Sequence, residues 1–112
     1  MSILSDVKKV IPIPDYVDDF DDALLIHINS EFFILKQIGA LPYDGITVDS
    51  STDWSAFSVI GSEESIEAIK QLVPLKVKKV FDPPQGGAAM QALNDMITEL
   101  EYRLNWNADY KL

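Results

Sequence analysis

The sequence predicts an all-α fold, a small bundle of about four helices with a long loop at residues 40–61 and an extended C-terminal tail. Three observations lead to this prediction. Apolar residues recur at steps of three and four over several long stretches, which is the spacing of an amphipathic helix. No stretch alternates apolar and polar residues convincingly enough for a β-strand. Prolines and glycines separate the periodic stretches, as expected where helices end and the chain turns.

The bulk composition limits the class of protein. With 112 residues, of which 47% are hydrophobic and 24% charged, we expect residues 1–112 to form a single folded domain. The absence of cysteine excludes disulfides, thiolate zinc sites and cysteine nucleophiles. A formal charge of −9 disfavours binding to nucleic acid through its phosphates. Neither a signal peptide nor a membrane-spanning stretch is recognisable, so we expect a soluble protein made in the cytoplasm.

The first helix is expected over residues 2–10, where apolar side chains have helical spacing, namely Ile3, Leu4, Val7 and Val10. The segment Ile11-Pro-Ile-Pro14 ends it, because proline lacks an amide donor and biases the preceding residue towards extended backbone. Five aspartates follow between residues 15 and 22. Asp18 or Asp19 is the expected N-cap of the next helix, with further acids in its first turn.

The second helix is predicted from about Phe20 to Ile38, with an apolar stripe of Leu24 or Leu25, Ile28, Phe32 and Leu35. Gly39 is the expected C-cap, and Pro42 lies just beyond it. The long loop that follows contains a short extended piece at Ile46 to Val48 and one helical turn at Asp53 to Phe57 that covers the core with Trp54. A loop of this length is often a contact surface.

The third helix is predicted from about Glu63 to Phe81, with Ser62 as N-cap. Its apolar positions step by three and four, but Pro74 interrupts them and is expected to bend the helix. Asp82-Pro-Pro84 ends the third helix.

The fourth helix is predicted from about Gly87 to Leu104, with Met90, Leu93, Ile97, Leu100 and Leu104 at the seam spacing of paired helices. Residues 106–112 show no clear periodicity, so an extended tail is expected there.

Two polar features invite a functional interpretation. The aspartates of residues 15–22 could suggest a calcium site, but the segment lacks the turn glycine and the bidentate glutamate of an EF-hand loop. Helix capping with a solvated acidic face explains them better, and an acidic surface facing DNA or a basic partner is a third reading. His27 is the only histidine and stands among apolar residues on a helix, so a structural or exposed role is favoured over acid–base chemistry.

Two further patterns have equally simple explanations. Gly86-Gly87 precedes a helix, as in some anion-binding turns, but neither a strand nor a phosphate-binding lysine accompanies it, so a turn between helices is favoured. Lys70, Lys76, Lys78 and Lys79 form the one basic patch. They are either a solvated helix face or a contact with an acidic patch on another copy of the chain, for which the aspartate cluster is the candidate. We expect no catalytic residues, no metal site and no cofactor.

Taken in order, several segments resemble the small head–tail connector (adaptor) proteins of tailed bacteriophages and prophages. The resemblance covers most of residues 15–105 and depends on Asp18-Asp-Phe-Asp-Asp22 leading into Ile26-His-Ile-Asn-Ser30, the Trp54 turn, Leu75-Lys-Val-Lys-Lys-Val-Phe-Asp-Pro-Pro84 and Glu99-Leu-Glu-Tyr-Arg-Leu-Asn105. Two departures are Pro74, where an ordinary helical residue is expected, and Tyr102, where tryptophan is more usual.

The resemblance implies a non-enzymatic subunit that forms a homo-oligomeric ring, expected to be dodecameric, beneath the portal protein at the head–tail junction of the virion. Such a ring extends the channel through which the viral DNA passes without specific binding, and it offers a platform to the neck or tail-completion (stopper) protein. It is assembled in the host cytoplasm without a membrane. The C-terminal segment is expected to contact the portal, which implicates Trp106, Tyr110 and Leu112.

Contacts between subunits are expected to pair Asp18, Asp19 and Asp22 with Lys76, Lys78 and Lys79. The main alternative function is a small acidic DNA mimic that inhibits a nucleic-acid enzyme, which would spread its acids over the surface at phosphate-like spacing. A regulator or enzyme using a metal at the aspartate cluster is a further rival. The concentration of acids at helix starts favours the connector.

Overall fold

A computed structural model of the chain describes residues 2–37, 47–57 and 63–110. In these ranges it confirms the all-α prediction, with helices α1 (Ile3–Val10), α2 (Asp21–Gln37), α3 (Glu63–Phe81) and α4 (Gly87–Tyr110) and a 3-10 turn at Trp54–Phe57. The described ranges contain no strand, only one isolated bridge between Ser2 and Asp53.

Helix α3 lies at the centre of the fold. The other three helices and the 3-10 turn all pack against it. Ile69, Leu72, Val73 and Val77 on α3 are buried at these contacts. Pro74 lies within this buried stretch, and the helix continues through it. Because several sides of α3 face other helices, α3 needs apolar residues at successive positions. A surface helix that buries only one face does not need them.

The core is one continuous cluster to which every helix contributes. Helix α1 supplies Ile3, Leu4 and Val7, and α2 supplies the predicted stripe of Leu24, Ile28, Phe32 and Leu35. The contribution of α4 is Leu93, Ile97 and Leu104. A buried aliphatic side chain of this size stabilises a fold by about 1.5–3 kcal/mol relative to an exposed one, so these apolar contacts dominate the stability.

Lys8 is the one charged residue in the buried part of the described chain, with 3% of its surface exposed. Its Nζ donates to the carbonyl oxygens of Asp15 and Val17 at 3.2 and 2.6 Å and forms a 2.9 Å ion pair with Oδ1 of Asp21. One ammonium group therefore fastens the connection that follows α1 and the first residue of α2. A buried ammonium is tolerated because its three protons all find acceptors.

The Trp54 turn is fastened to two helices. The Trp54 Nε1–H donates to Oδ2 of Asp6 on α1 at 2.6 Å, and its ring packs on Phe32 of α2 with centroids 6.3 Å apart. Nearby, Asn29 of α2 makes two hydrogen bonds with the backbone of Val48, at 2.7 and 3.0 Å. The expected cover over the core by Trp54 is confirmed, and residues 47–57 lie fixed against α1 and α2.

The structure agrees with some of the predicted helix boundaries and caps and differs from others. The bounds of α3 agree with the prediction, and Ser2 caps α1 by accepting from the Ser5 amide at 3.0 Å. The prediction that Asp18 or Asp19 caps α2 is wrong, because the first helical bond of α2 runs from the Leu24 amide to the Phe20 carbonyl. The expected caps Gly39 and Ser62, with Pro42 and Ile46, lie outside the described residues.

The end of α4 also differs from the prediction. The helix continues to Tyr110, so residues 106–110 are helical where an extended tail was expected. The apolar periodicity ends at Leu104, but no proline or glycine follows to stop the helix. At the other end, Gly86 has a φ of 89°, a left-handed conformation that glycine adopts without strain, and this lets the chain turn from α3 into α4.

Replacing Lys8 by methionine tests the buried ammonium. The Lys8→Met side chain fills similar space but leaves the Asp21 carboxylate and two carbonyl oxygens without their donor, so the free energy of unfolding should fall by about 2–3 kcal/mol. Urea unfolding followed by circular dichroism measures this. The adjacent Lys9→Met is the matched control, because Lys9 is exposed and should change stability by less than about 0.5 kcal/mol. Equal effects of the two variants would contradict the role given to Lys8.

Candidate functional site

The candidate functional features of the described residues are surfaces. Among them, no group of three or more histidines, cysteines, aspartates or glutamates is placed to hold a metal ion. His27 is half-buried on α2. In the part of the chain that the structure describes, no helix combines the length and apolarity needed to span a membrane. The features that remain are charged clusters and exposed apolar helix faces.

The expected acidic cluster and two lysines of the expected basic patch lie at one end of the molecule. Phe20 contacts Phe81 edge to face, with ring centroids 5.5 Å apart, so the start of α2 lies beside the end of α3. Asp18, Asp19 and Asp22 are exposed there, and Lys78 and Lys79 are in the last turn of α3. Lys78 makes a 3.7 Å ion pair with Asp82. The structure therefore places acids and lysines at the same level of the subunit.

Lys76 has a different environment from the other two lysines. Its Nζ lies 3.1 Å from Oε2 of Glu31 on α2 and 3.3 Å from Oε2 of Glu101 on α4. Burial by itself would lower the pKa of Lys76, but the hydrogen bonds and charges of Glu31 and Glu101 outweigh it and raise the pKa above its ordinary value. This single ammonium ties both flanking helices to α3.

The outer face of α2 is apolar. Ile26 and Phe33 are 66% and 58% exposed, and Ile34 beside them is also exposed. Helical spacing puts Ile26, Ser30 and Phe33 on one face, opposite the buried stripe of the same helix. That face carries no charged residue between Ala23 and Gln37. A helix that is apolar on both faces is typical of one that is buried on both sides.

Helix α4 also exposes large apolar side chains. Met96 and Tyr102 are 52% and 67% exposed. Small residues accompany them in the first half of the helix, where Ala88, Ala89 and Ala92 are exposed. The second half is more polar and contains a 2.7 Å ion pair between Glu99 and Arg103. This helix therefore offers a second, shallower apolar surface on the same subunit.

The residues expected to contact the portal lie at the chain end. Trp106 and Tyr110 belong to the last two turns of α4, although their side chains are outside the described part of the structure. Leu112 is outside it altogether. A helical backbone places Trp106 and Tyr110 four residues apart, hence on one face of the helix.

Sequence reasoning missed two features. Lys8 was given no role, because its partners are backbone carbonyls of a loop that no local pattern identifies. The outer face of α2 was also missed, although the sequence contains the signal. Eight of the twelve residues from Leu24 to Leu35 are large and apolar, more than one stripe needs.

A comparison with protein families gives one match. A family model described as "Phage connector protein" matches residues 3–111, which is nearly the whole chain and includes every helix of the structure. Neither the curated proteins nor the solved structures contain a significant match to this sequence.

The Lys76 cluster predicts a specific pH dependence of stability. Because the pKa of folded Lys76 is raised above its ordinary value of 10.5, its contribution is fully present below pH 10.5 and is lost as pH rises through the folded pKa. At neutral pH, Lys76→Met should lower the free energy of unfolding by about 2 kcal/mol. Above pH 10.5 the difference between wild type and variant should shrink.

Urea unfolding between pH 7 and pH 11.5 measures this difference. Lys70→Met is the control, because Lys70 lies on the same helix and pairs with Glu67 at 3.3 Å in an exposed position. Its effect should stay below about 0.5 kcal/mol at every pH. A Lys76→Met effect that is independent of pH would contradict the electrostatic explanation.

Proposed function

The chain belongs to the phage connector protein family, and from this premise we propose that it is a head–tail connector whose subunits form a ring beneath the portal. Membership gives the chain a structural role in the phage particle, and an enzymatic role is not expected of this family. The observation that carries the proposal is the extent of the match, residues 3–111, because it includes all four helices of the described fold.

In this proposal the ring is a dodecamer that docks on the portal, extends the DNA channel and receives the neck or tail-completion (stopper) protein on its other side. It is assembled in the host cytoplasm. The exposed apolar faces of α2 and α4 support assembly, because large apolar patches on a small protein mark interaction surfaces. The net charge of −9 supports a channel role, since an acidic wall repels the phosphates and lets DNA pass without being held.

Charged contacts between neighbours are part of the proposal. Asp18, Asp19 and Asp22 of one subunit meet Lys78 and Lys79 of the next. Subunits related by rotation about one axis keep the same height along it, and the two clusters lie at the same end of the subunit, which supports their meeting. Lys76 was expected to join this contact, but its ammonium already has two carboxylate partners in its own subunit. We propose that Lys76 holds α2 and α4 on α3.

The C-terminal segment is the proposed portal contact, through Trp106, Tyr110 and Leu112. Because α4 continues to Tyr110, this contact is made by the end of a helix. Docking of the apolar side of a helix into a groove is a common mode of recognition.

Native mass spectrometry tests the ring. We expect the full chain to form a closed oligomer, with twelve copies as the expected number, when it is mixed with purified portal protein of the same phage. The free chain is measured in parallel, because the portal can act as the template for assembly. A chain that stays monomeric with the portal at all concentrations would sink the proposal.

Removal of residues 106–112 tests the portal contact. The truncated chain loses less than two turns of α4, so its helical circular dichroism should be largely unchanged, whereas its docking on the portal should be abolished. Trp106→Ala and Tyr110→Ala should each weaken docking by about tenfold or more, because aromatic anchors dominate interface energies. Tyr16→Ala is the matched control, since Tyr16 is an exposed aromatic residue far away in the sequence. Docking that survives the truncation would place the contact elsewhere.

A further inference from the structure

The exposed apolar residues of α2 and α4 lie at matching heights. The Lys76 Nζ touches both Glu31 of α2 and Glu101 of α4, so these two glutamates lie at about the same level along α3. Ile26 precedes Glu31 by five residues, and Met96 precedes Glu101 by five residues. At a rise of about 1.5 Å per residue, each lies about 7.5 Å from its glutamate along its helix.

The two helices also run in the same direction. Helix α2 is antiparallel to α3, because Phe20 contacts Phe81 and Glu31 contacts Lys76. Helix α4 follows α3 through the turn at residues 82–86 and packs back along it, so it is antiparallel to α3 as well. Ile26 and Met96 are therefore displaced towards the same end of the subunit.

We infer that the outer face of α2 packs against the face of α4 that carries Met96 on a second copy of this chain, with Ile26 against Met96. This inference rests on the proposed ring and names the surface that closes it. In a ring whose axis runs along the helices, neighbouring subunits keep the same height. Side chains at equal heights on different helices of one subunit then meet between neighbours. Contact of two different patches is heterologous, which is the geometry that produces rings.

Charge supports a second copy as the occupant. On a chain with a net charge of −9, two copies repel each other across most of their surfaces. The outer face of α2 carries no charge between Ala23 and Gln37, so it can approach an acidic neighbour without burying a carboxylate. On α4, Glu99 already has Arg103 as its ion-pair partner. The contact thus removes exposed apolar surface from water without placing an unpaired α2 charge in the interface.

The size of the subunit is consistent with this contact. Its principal extents are 41, 34 and 19 Å, and the longest is similar to the length of α4, about 36 Å for its helical rise. A contact along the helices therefore has most of the length of the molecule available to it.

Cysteine cross-linking tests this inference sharply, because the chain contains no natural cysteine. One preparation carries Ile26→Cys and a second carries Met96→Cys. The two are mixed under assembly conditions, with the portal present, and treated with a short bismaleimide. We expect a mixed Ile26→Cys to Met96→Cys product, identified by peptide mass spectrometry. Replacing the second preparation by Gln71→Cys, an exposed position on α3, should lower the yield about tenfold or more.

Substitutions test the same contact without a cross-linker. Ile26→Asp and Phe33→Asp should each raise the concentration needed for assembly by about tenfold or more, with unchanged circular dichroism. Gln71→Asp is the matched control, because Gln71 is exposed on a helix but lies on α3 and belongs to neither proposed contact. It should assemble like wild type.

The possible outcomes separate this inference from the proposed function. Native mass spectrometry that shows a ring, together with cross-links mainly between two Ile26→Cys chains or equally to Gln71→Cys, overturns the α2–α4 contact and leaves the ring standing. A ring that tolerates both Ile26→Asp and Phe33→Asp overturns it as well. Failure of the wild-type chain to assemble, alone and with the portal, removes both.

Discussion

The burial of α3 is the constraint on which the rest of the subunit depends, because α1, α2, α4 and the Trp54 turn all pack against it. A helix surrounded in this way cannot have only one apolar stripe, and α3 carries buried residues at the successive positions Leu72, Val73 and Pro74 and again at Val77. The charged residue Lys76 also helps to hold the other helices on α3, because its ammonium group forms ion pairs with a carboxylate of α2 and a carboxylate of α4. Helix α3 thus sets the positions of the flanking helices, and the outer faces of α2 and α4 remain exposed.

The distribution of acids supports a structural part over a DNA mimic. A mimic needs its carboxylates free and spread over the surface. Here Asp6 accepts from Trp54, Asp21 pairs with Lys8, and Glu31 and Glu101 pair with Lys76. These acids organise the fold, and the exposed ones at the start of α2 are concentrated at one end. The net charge of −9 then acts as a diffuse repulsive field around the molecule, while particular carboxylates fasten the helices.

Much of the fold could be predicted from the sequence, because it is encoded locally. The periodicity of apolar residues located α2, α3 and α4, and Asp82-Pro-Pro84 marked the corner. The predicted helix boundaries are wrong where a contact between distant residues sets the boundary, or where the sequence carries no signal that marks it. Asp18 and Asp19 have good capping chemistry, but the helix starts only at Asp21, directly after Phe20, which contacts Phe81. The end of α4 carries no stop signal, and its apolar pattern ends before the helix does. The exposed apolar face of α2 was visible in the composition of that helix, but the structure was needed to show which side of the helix is exposed.

The position of α1 has a consequence for folding during synthesis. This helix is made first, yet its partners lie far along the chain. The Ile3 amide bonds to the Thr52 carbonyl, Asp6 accepts from Trp54, and its apolar side packs on α3. An α-helix of eight residues is too short to persist alone in water. The nascent chain must therefore emerge from the ribosome as far as Phe81 before α1 can settle. Burial of the amino-terminal helix therefore waits for the synthesis of α3.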